Sequence, residues 1–122
     1  MKKILIADDE EETLRILEKK LRENNYYVSA VTNGKDVLRT AKFDRPDLMI
    51  LDIVMPDVDG YTLAATLKED KLLCDVPIIF ITGKDLVPGG IEERVSQLGA
   101  YDYVMKPCVF EDILTKVKKA LG

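Results

Sequence analysis

The stretch PDLMILDIVMPDVDG, residues 46–60, decides the fold of this chain. Its apolar run Leu48–Leu51 has no polar side, which is typical of a strand buried on both faces of a parallel sheet. Asp52 follows the run directly, and a loop at Pro56–Gly60 carries the Pro and Asp-Gly signals of a turn. A buried strand flanked in this way predicts an α/β protein with polar residues at its strand ends.

The rest of the chain repeats this rhythm of strand and helix. Apolar runs predict five strands, at about Lys3–Ala7, Tyr26–Val31, Leu48–Leu51, Ile78–Ile81 and Tyr101–Met105. Helical spacing and capping residues predict five helices, at about Glu11–Glu23, Asn33–Lys42, Tyr61–Glu69, Ile91–Leu98 and Phe110–Leu121. Alternating strands and helices favour right-handed crossovers and a parallel sheet. We therefore predict one domain over residues 1–122, a doubly wound (βα)5 three-layer α/β sandwich with the flavodoxin-like strand order 2-1-3-4-5.

Composition restricts the partners of the protein. The 122 residues include 18 basic and 22 acidic side chains, a formal net charge of −4, which argues against direct binding of nucleic acid. The apolar runs are far shorter than the ~20 residues that cross a bilayer, so we expect no membrane contact and a cytoplasmic location. Histidine is absent, and the two cysteines lack metal-ligand spacing. Any chemistry must therefore use carboxylates, Lys, Thr and Tyr.

Polar side chains stand where the predicted strands end. Asp8 and Asp9 follow the first strand, Asp52 the third, Thr82 the fourth and Lys106 the fifth. Parallel strands end at one edge of the sheet, where open α/β sheets bind their ligands. A single acid at a strand end is commonly a turn or cap residue. The whole set favours a pocket that holds three acids, a hydroxyl and an ammonium group.

Electrostatics restricts what such a pocket does. Two carboxylates ~4 Å apart repel each other by about 4 kcal/mol at an effective dielectric constant near 20. Three of them would protonate or destabilise the fold unless a cation offset their charge. An oxygen-only ligand set suits a hard cation, so we predict bound Mg²⁺ or Mn²⁺. The cation, Lys106 and Thr82 would together clamp the charged oxygens of a phosphoryl group.

Four segments of the chain, in order, resemble the receiver domains of two-component response regulators. They are IADDE at residues 6–10, LDIVMPDVDG at 51–60, ITG at 81–83 and LGAYDYVMKP at 98–107. The likeness covers essentially the whole chain, and four segments at family-like spacing are highly specific. The resemblance implies a phosphate-accepting switch protein, whose only catalysis is its own phosphorylation and dephosphorylation.

The resemblance also implies a role for each residue of the site. Asp52 accepts the phosphoryl group from a histidine kinase or a phosphotransfer protein. Asp9 binds Mg²⁺ directly and Asp8 mainly through water, while Asp52 and the backbone carbonyl of Val54 are further ligands. Lys106 pairs with the phosphoryl oxygens.

Two more residues resemble the switch of the family. Thr82 would swing toward the phosphoryl group and Tyr103 would turn inward behind it, which is a shift of population between two conformers. A downstream effector or output domain would read this shift on the face formed by the fourth helix, fifth strand and fifth helix. The same face is open to dimer formation, with Asp102 and Lys116 as a candidate pair across the interface. The Lys106–Pro107 bond is implied to be cis.

The chain departs from the family pattern in three places, one of which is the pair Val54 and Lys84, two residues beyond Asp52 and Thr82. Phe commonly follows the Lys-Pro pair in the family, whereas Cys108 and Val109 come before Phe110 here. The segment from Thr82 to Lys106 is slightly long, with Pro88–Gly90 where the fourth helix often begins. We expect a longer, looser loop beside the switch.

Other functions use some of the same residue types. A phosphatase of the haloacid-dehalogenase type also has an Asp nucleophile, but it needs a second Asp two residues later, where this chain has Val54. A flavin-binding module needs a hydroxyl- and glycine-rich loop after the first strand, where this chain has the acidic run Asp8–Glu12. A receiver fold kept only as a scaffold has no need of the reactive residues, and all of them are present.

Overall fold

The computed structural model describes residues 1–83 and 90–122. Its strands are β1 (Lys3–Ala7), β2 (Tyr27–Val31), β3 (Leu48–Asp52), β4 (Ile78–Gly83) and β5 (Asp102–Lys106). Its helices are α1 (Glu11–Glu23), α2 (Gly34–Phe43), α3 (Gly60–Glu69), α4 (Ile91–Leu98) and α5 (Phe110–Leu121). Strands and helices alternate along the chain, as the sequence predicts.

The strands form one parallel sheet in the order β2-β1-β3-β4-β5, which confirms the predicted flavodoxin-like topology. The three inner strands β1, β3 and β4 are buried almost throughout, whereas the edge strands β2 and β5 carry exposed or half-buried residues. A strand that is covered on both faces needs no polar side. The uniformly apolar runs of the sequence therefore mark the inner strands.

Helices cover both faces of the sheet and complete the predicted three-layer sandwich. On one face, α2, α3 and α4 pack on the sheet through a core that includes Leu5, Leu51, Phe80, Val37, Leu63 and Ile91. On the other face, α1 and α5 pack through a core that includes Ile4, Ile50, Ile81, Leu14, Leu17 and Val117. Each large apolar side chain buried in this way contributes about 1.5–3 kcal/mol to folding, which stabilises the strands that position the site.

Two strands extend past their apolar runs and include polar residues of the site. β3 ends at Asp52 rather than Leu51, and β4 continues through Thr82 to Gly83. The pairing of Asp52 with Ile81 carries the ladder to the end of β3. Ladder hydrogen bonds use the backbone, so a polar side chain does not end a strand. Both side chains are therefore held by strands rather than by loops.

Helix α2 begins at a capping side chain. The side chain of Asn33 caps α2 by accepting a hydrogen bond from the Asp36 N–H at 2.9 Å, as the Asn-Gly pair predicts. Helix α5 begins at Phe110, as predicted, and the Lys20 ammonium lies 5.5 Å from the centre of the Phe110 ring.

The predicted looser loop lies mostly outside the described residues, because Pro88 falls among residues 84–89. In the two described ranges, no helix has the length and apolar character needed to cross a membrane.

Candidate functional site

The strand ends bring four predicted site residues to one edge of the sheet. Asp52 ends β3 and Lys106 ends β5, while Asp8 follows β1 and Thr82 lies one residue before the end of β4. Asp8, Asp52 and Thr82 are 3%, 4% and 0% exposed. Buried charged groups are stable only when they are paired or bind a cation. The arrangement therefore needs positive charge close to the two aspartates.

Lys106 supplies part of that charge. Its Nζ lies 2.8 Å from Asp8 Oδ2, 2.7 Å from Glu10 Oε1 and 3.5 Å from Asp52 Oδ2. Burial lowers the pKa of the Lys106 ammonium, but the carboxylates of Asp8 and Glu10 outweigh burial and hold it above its usual range. The peptide bond from Lys106 to Pro107 is cis, as the resemblance implies.

Three carboxylates converge on this edge: the predicted ligands Asp8 and Asp52, together with Glu10. Oxygens of Asp8, Glu10 and Asp52 all lie within 4.8 Å of one another, whereas Asp9 is exposed and is not in this group. The Glu10 N–H donates to Asp8 Oδ1 at 2.9 Å, so the chain turns directly after β1 and returns the Glu10 side chain to the site. The only sequence signal for Glu10 is its place two residues after an Asp at a strand end.

The charges of the site do not balance by themselves. Among the described residues, the group holds three carboxylates against the single ammonium of Lys106, which leaves two negative charges uncompensated. Burial, followed by the charge of Asp8, raises the pKa of the Asp52 carboxyl to about 7, although Lys106 opposes this effect. The described residues therefore supply too little positive charge to balance the carboxylates at neutral pH.

A divalent cation fits the residues that are present. The group offers only oxygen ligands, which Mg²⁺ and Mn²⁺ prefer. A charge of +2 would offset the two uncompensated negative charges and favour the ionised form of Asp52. The acidic group thus has the composition of a metal site, with Asp8 and Asp52 as its buried members.

The loop between β3 and α3 encloses Asp52 closely. The Val54 N–H donates to Asp52 Oδ1 at 3.2 Å, and the Gly60 N–H donates to the Ile53 carbonyl at 2.6 Å. A Cβ at Gly60 would lie 2.6 Å from the Asp52 carbonyl oxygen and 2.8 Å from Ile53 Cα, which is too close. Gly60 is therefore required for the backbone approach that seats α3 against the end of β3. Val54 itself is 44% exposed.

The two predicted switch residues lie on neighbouring strands. The Thr82 hydroxyl is buried and has no hydrogen-bond partner within residues 1–83 and 90–122. Tyr103 is half-buried, and its hydroxyl donates to Glu92 Oε1, on the first turn of α4, at 3.0 Å. The register of β4 and β5 pairs Thr82 with Met105, two residues after Tyr103. An unpaired buried hydroxyl costs about 1–3 kcal/mol, so a ligand that accepts from Thr82 would recover this energy.

Two residues predicted to pair across a dimer also pair within the chain. Lys116 Nζ and Asp102 Oδ2 lie 2.6 Å apart within the same chain, on α5 and β5. Since each residue already has an opposite charge beside it, the pair stabilises the packing of α5 on β5. A contact between these two residues across a dimer stays a prediction.

Comparisons with known proteins agree with this geometry. A family model for the response regulator receiver domain matches residues 4–118. The chain is 36% identical to the transcriptional regulatory protein PcoR of Escherichia coli over 121 residues, which are 99% of this chain and 52% of PcoR. It is 35% identical to the alkaline phosphatase synthesis regulatory protein PhoP of Bacillus subtilis, covering 98% of this chain and 48% of PhoP. The chain thus spans about half the length of these curated relatives.

Solved structures show the same architecture. The signal receiver domain of a histidine kinase from Syntrophus aciditrophicus superposes with a TM-score of 0.88 at 34% identity, over 99% of this chain and 90% of that one. A chemotaxis response regulator of Vibrio cholerae shares the fold, with a TM-score of 0.89 at 23% identity and 99% coverage of both chains. Sequence, fold and the acidic pocket agree, and the alternative of a haloacid-dehalogenase phosphatase gains no support. The chain belongs to the response regulator receiver domain family, whose members accept a phosphoryl group in signalling.

Proposed function

We propose that Asp52 is the phosphoacceptor of this receiver domain. One observation carries the proposal: a nearly buried carboxylate at the end of β3 lies 3.5 Å from the Lys106 ammonium and beside a second buried carboxylate, Asp8. No other carboxylate of the acidic group combines burial with a place on a strand. Asp52 is thus held rigidly, and rigid placement is what phosphoryl transfer asks of a nucleophile.

The transfer step uses the residues of the pocket. A carboxylate oxygen of Asp52 attacks the phosphorus of a phosphohistidine on a histidine kinase or a phosphotransfer protein. The P–N bond breaks, its electron pair stays on the imidazole nitrogen, and a new P–O bond forms an acyl phosphate on Asp52. Transfer adds the negative charge of the phosphoryl oxygens beside Asp52. Lys106 would therefore move from the carboxylates of Asp8 and Glu10 toward these oxygens.

A divalent cation, Mg²⁺ or Mn²⁺, belongs to this proposal. When bound, it supplies positive charge against the phosphoryl oxygens. Asp8 and Asp52 would hold it, with Asp9 and the Val54 carbonyl as the further ligands that the family resemblance implies. The ionised form of Asp52, which is the reactive one, is favoured by any cation placed between the two aspartates.

Thr82 and Tyr103 are proposed to convert phosphorylation into a change of shape. The Thr82 hydroxyl would donate to a phosphoryl oxygen and so gain the partner that it lacks. Its movement would vacate space beside β5, into which the ring of Tyr103 turns, with loss of the hydrogen bond to Glu92. That bond joins β5 to α4, so its loss changes the face of α4, β5 and α5 that we propose the downstream effector reads.

A groove beside the site is the proposed contact surface for the phosphodonor. It has a volume of about 760 Å³ and lies between α1 and the start of α5, with Glu10 and Lys106 in its wall. The exposed apolar side chains of Ile16 and Val109 line the same groove. A protein that carries phosphohistidine must reach Asp52, so this apolar surface next to Lys106 is where it would dock.

The direct test uses a small phosphodonor. Wild-type protein incubated with acetyl phosphate and Mg²⁺ is expected to gain the mass of one phosphoryl group in intact mass spectrometry. An Asp52→Asn variant is expected to gain none, because the amide is not nucleophilic. Equal phosphorylation of the variant would show that another residue accepts the group.

A further inference from the structure

Asp57, in the loop between β3 and α3, makes contacts that the proposed function does not use. Its Oδ1 accepts hydrogen bonds from the N–H groups of Gly34 and Val58, each at 2.9 Å, and its Oδ2 accepts from Lys35 at 2.8 Å. Gly34 and Lys35 are the first two residues of α2, whose N–H groups have no partner within the helix. Asp57 therefore caps a helix that is distant in sequence from its own loop.

A second contact joins the same two segments. An ideal Cβ at Gly34 would lie only 2.0 Å from Cγ1 of Val58, so the start of α2 and the loop pack without space for a side chain. Gly34 is buried, and Val58 packs against the core of that face. Hydrogen bonding and packing thus both fix residues 57–58 to α2.

The loop fixed in this way contains a proposed ligand of the cation. It leaves β3 at Asp52, carries Val54, and closes where the Gly60 N–H donates to the Ile53 carbonyl at 2.6 Å. Asp57 lies between Val54 and Gly60, and its carboxylate ties this part of the loop to α2. The position of the Val54 peptide group therefore depends on Asp57 as well as on β3.

We propose that Asp57 is a positioning residue that holds the β3–α3 loop, and with it the Val54 carbonyl, in place for the divalent cation. The inference rests on the proposed function and adds to it a residue that touches neither the cation nor the phosphoryl group. Backbone N–H groups, that of Gly34 first, hold the pKa of Asp57 below its usual range, so its carboxylate stays ionised and keeps all three hydrogen bonds at neutral pH.

If Asp57 only capped α2, loss of another cap of the same helix would have the same effect on the cation. A variant of Asn33 therefore distinguishes capping from positioning. Asn33 caps the same helix, but its side chain bonds to Asp36 within α2 and does not tie the helix to the loop. Asn33→Ala and Asp57→Ala should therefore both weaken the start of α2. Only Asp57→Ala releases the loop.

The test measures Mn²⁺ affinity by calorimetry and the urea midpoint of unfolding, for wild type and for both variants. Both variants are expected to unfold at lower urea concentration, while only Asp57→Ala loses Mn²⁺ affinity. The expected loss is about tenfold, as is typical when an outer-shell partner of a metal site is removed. Asp57→Asn keeps the Oδ1 acceptor for Gly34 and Val58 but loses the one for Lys35. It is expected to be intermediate in affinity, and it serves as the reporter if Asp57→Ala does not fold.

Three results would overturn the inference, and they are distinguishable. Wild-type affinity in Asp57→Ala, or in Asp57→Asn where only that variant folds, refutes the positioning role and leaves the proposed function intact. An equal loss in Asn33→Ala shows that any damage to α2 has the same effect. Absence of saturable Mn²⁺ binding to wild type refutes the metal site itself, and the inference with it.

Discussion

Asp8 and Asp52 are buried beside each other, and in the described part of the chain only one ammonium group lies close to both. Burial raises the pKa of Asp52 to about 7, and repulsion from the ionised Asp8 carboxylate adds to this effect. The residue that makes the site reactive thus destabilises the fold when no cation is present. The proposed function therefore has a cost in folding stability.

The pH dependence of stability tests that cost. The pKa of Asp52 is raised from 3.8 to about 7, so between these values the native state binds more protons than the unfolded state, and stability falls as pH rises. Asp52→Asn removes this term. In EDTA, the free energy of unfolding of the variant should match that of wild type near pH 4 and exceed it by about 2 kcal/mol at pH 8. This difference is about half of the free energy that corresponds to the full pKa shift, because solvent screens the pocket.

Urea unfolding of both proteins from pH 4 to pH 8 measures the difference. Added Mg²⁺ should reduce it at pH 8, because the cation stabilises the ionised carboxylate of wild type. A difference that stays constant with pH, or that shrinks as pH rises, would contradict the electrostatic account of Asp52.

The third carboxylate beside Asp8 and Asp52 is either Asp9 or Glu10. The resemblance assigns it to Asp9, whereas the structure places Glu10 in the acidic group and pairs it with Lys106. Exposed ion pairs contribute little, so Glu10→Gln should change Mn²⁺ affinity less than threefold. Asp9→Asn should lower it at least tenfold, since a direct ligand matters no less than an outer-shell partner. Calorimetric titration of both variants decides, and the reverse order would make Glu10 the ligand.

At the scale of elements, sequence patterns predicted those parts of the site that depend on strand ends. Asp8, Asp52, Thr82 and Lys106 lie at strand ends as expected, because an apolar run shows where a buried strand stops, and parallel strands stop at the same edge. The contribution of Glu10 was missed, since it depends on the turn after β1. Asp57 was missed because its partners lie on α2, and only the packed structure brings the two together.

Gly60 gives a prediction about how α3 is seated. A Cβ there would meet backbone atoms of Asp52 and Ile53, which cannot move aside as a side chain can. Gly60→Ala should therefore destabilise the fold by about 1–3 kcal/mol and slow phosphorylation by acetyl phosphate, because the end of β3 shifts. Gly90→Ala is the control, since no atom of the described residues, its chain neighbours aside, lies within 4 Å of its Cβ. Thermal unfolding and intact mass spectrometry measure both effects, and equal behaviour of the two variants would contradict this role.

The chain is a receiver domain that matches only part of its curated relatives. PcoR and PhoP are transcriptional regulatory proteins, and this chain aligns with about half of each. The relatives therefore support a signalling role. That the α4–β5–α5 face controls an output in this protein is our proposal. Within the chain, Lys116 and Asp102 already bind α5 to β5. A partner that docks on this face would meet a surface whose charges are partly paired.

We propose that buried acids share a divalent cation so that Asp52 can take a phosphoryl group. The most direct measurement treats the protein with acetyl phosphate in Mg²⁺ or in EDTA and maps the modified peptide by mass spectrometry. We predict one phosphoryl group, on the peptide that contains Asp52, in Mg²⁺ alone. Modification that is equal in EDTA, or that maps to a peptide without Asp52, would contradict the claim.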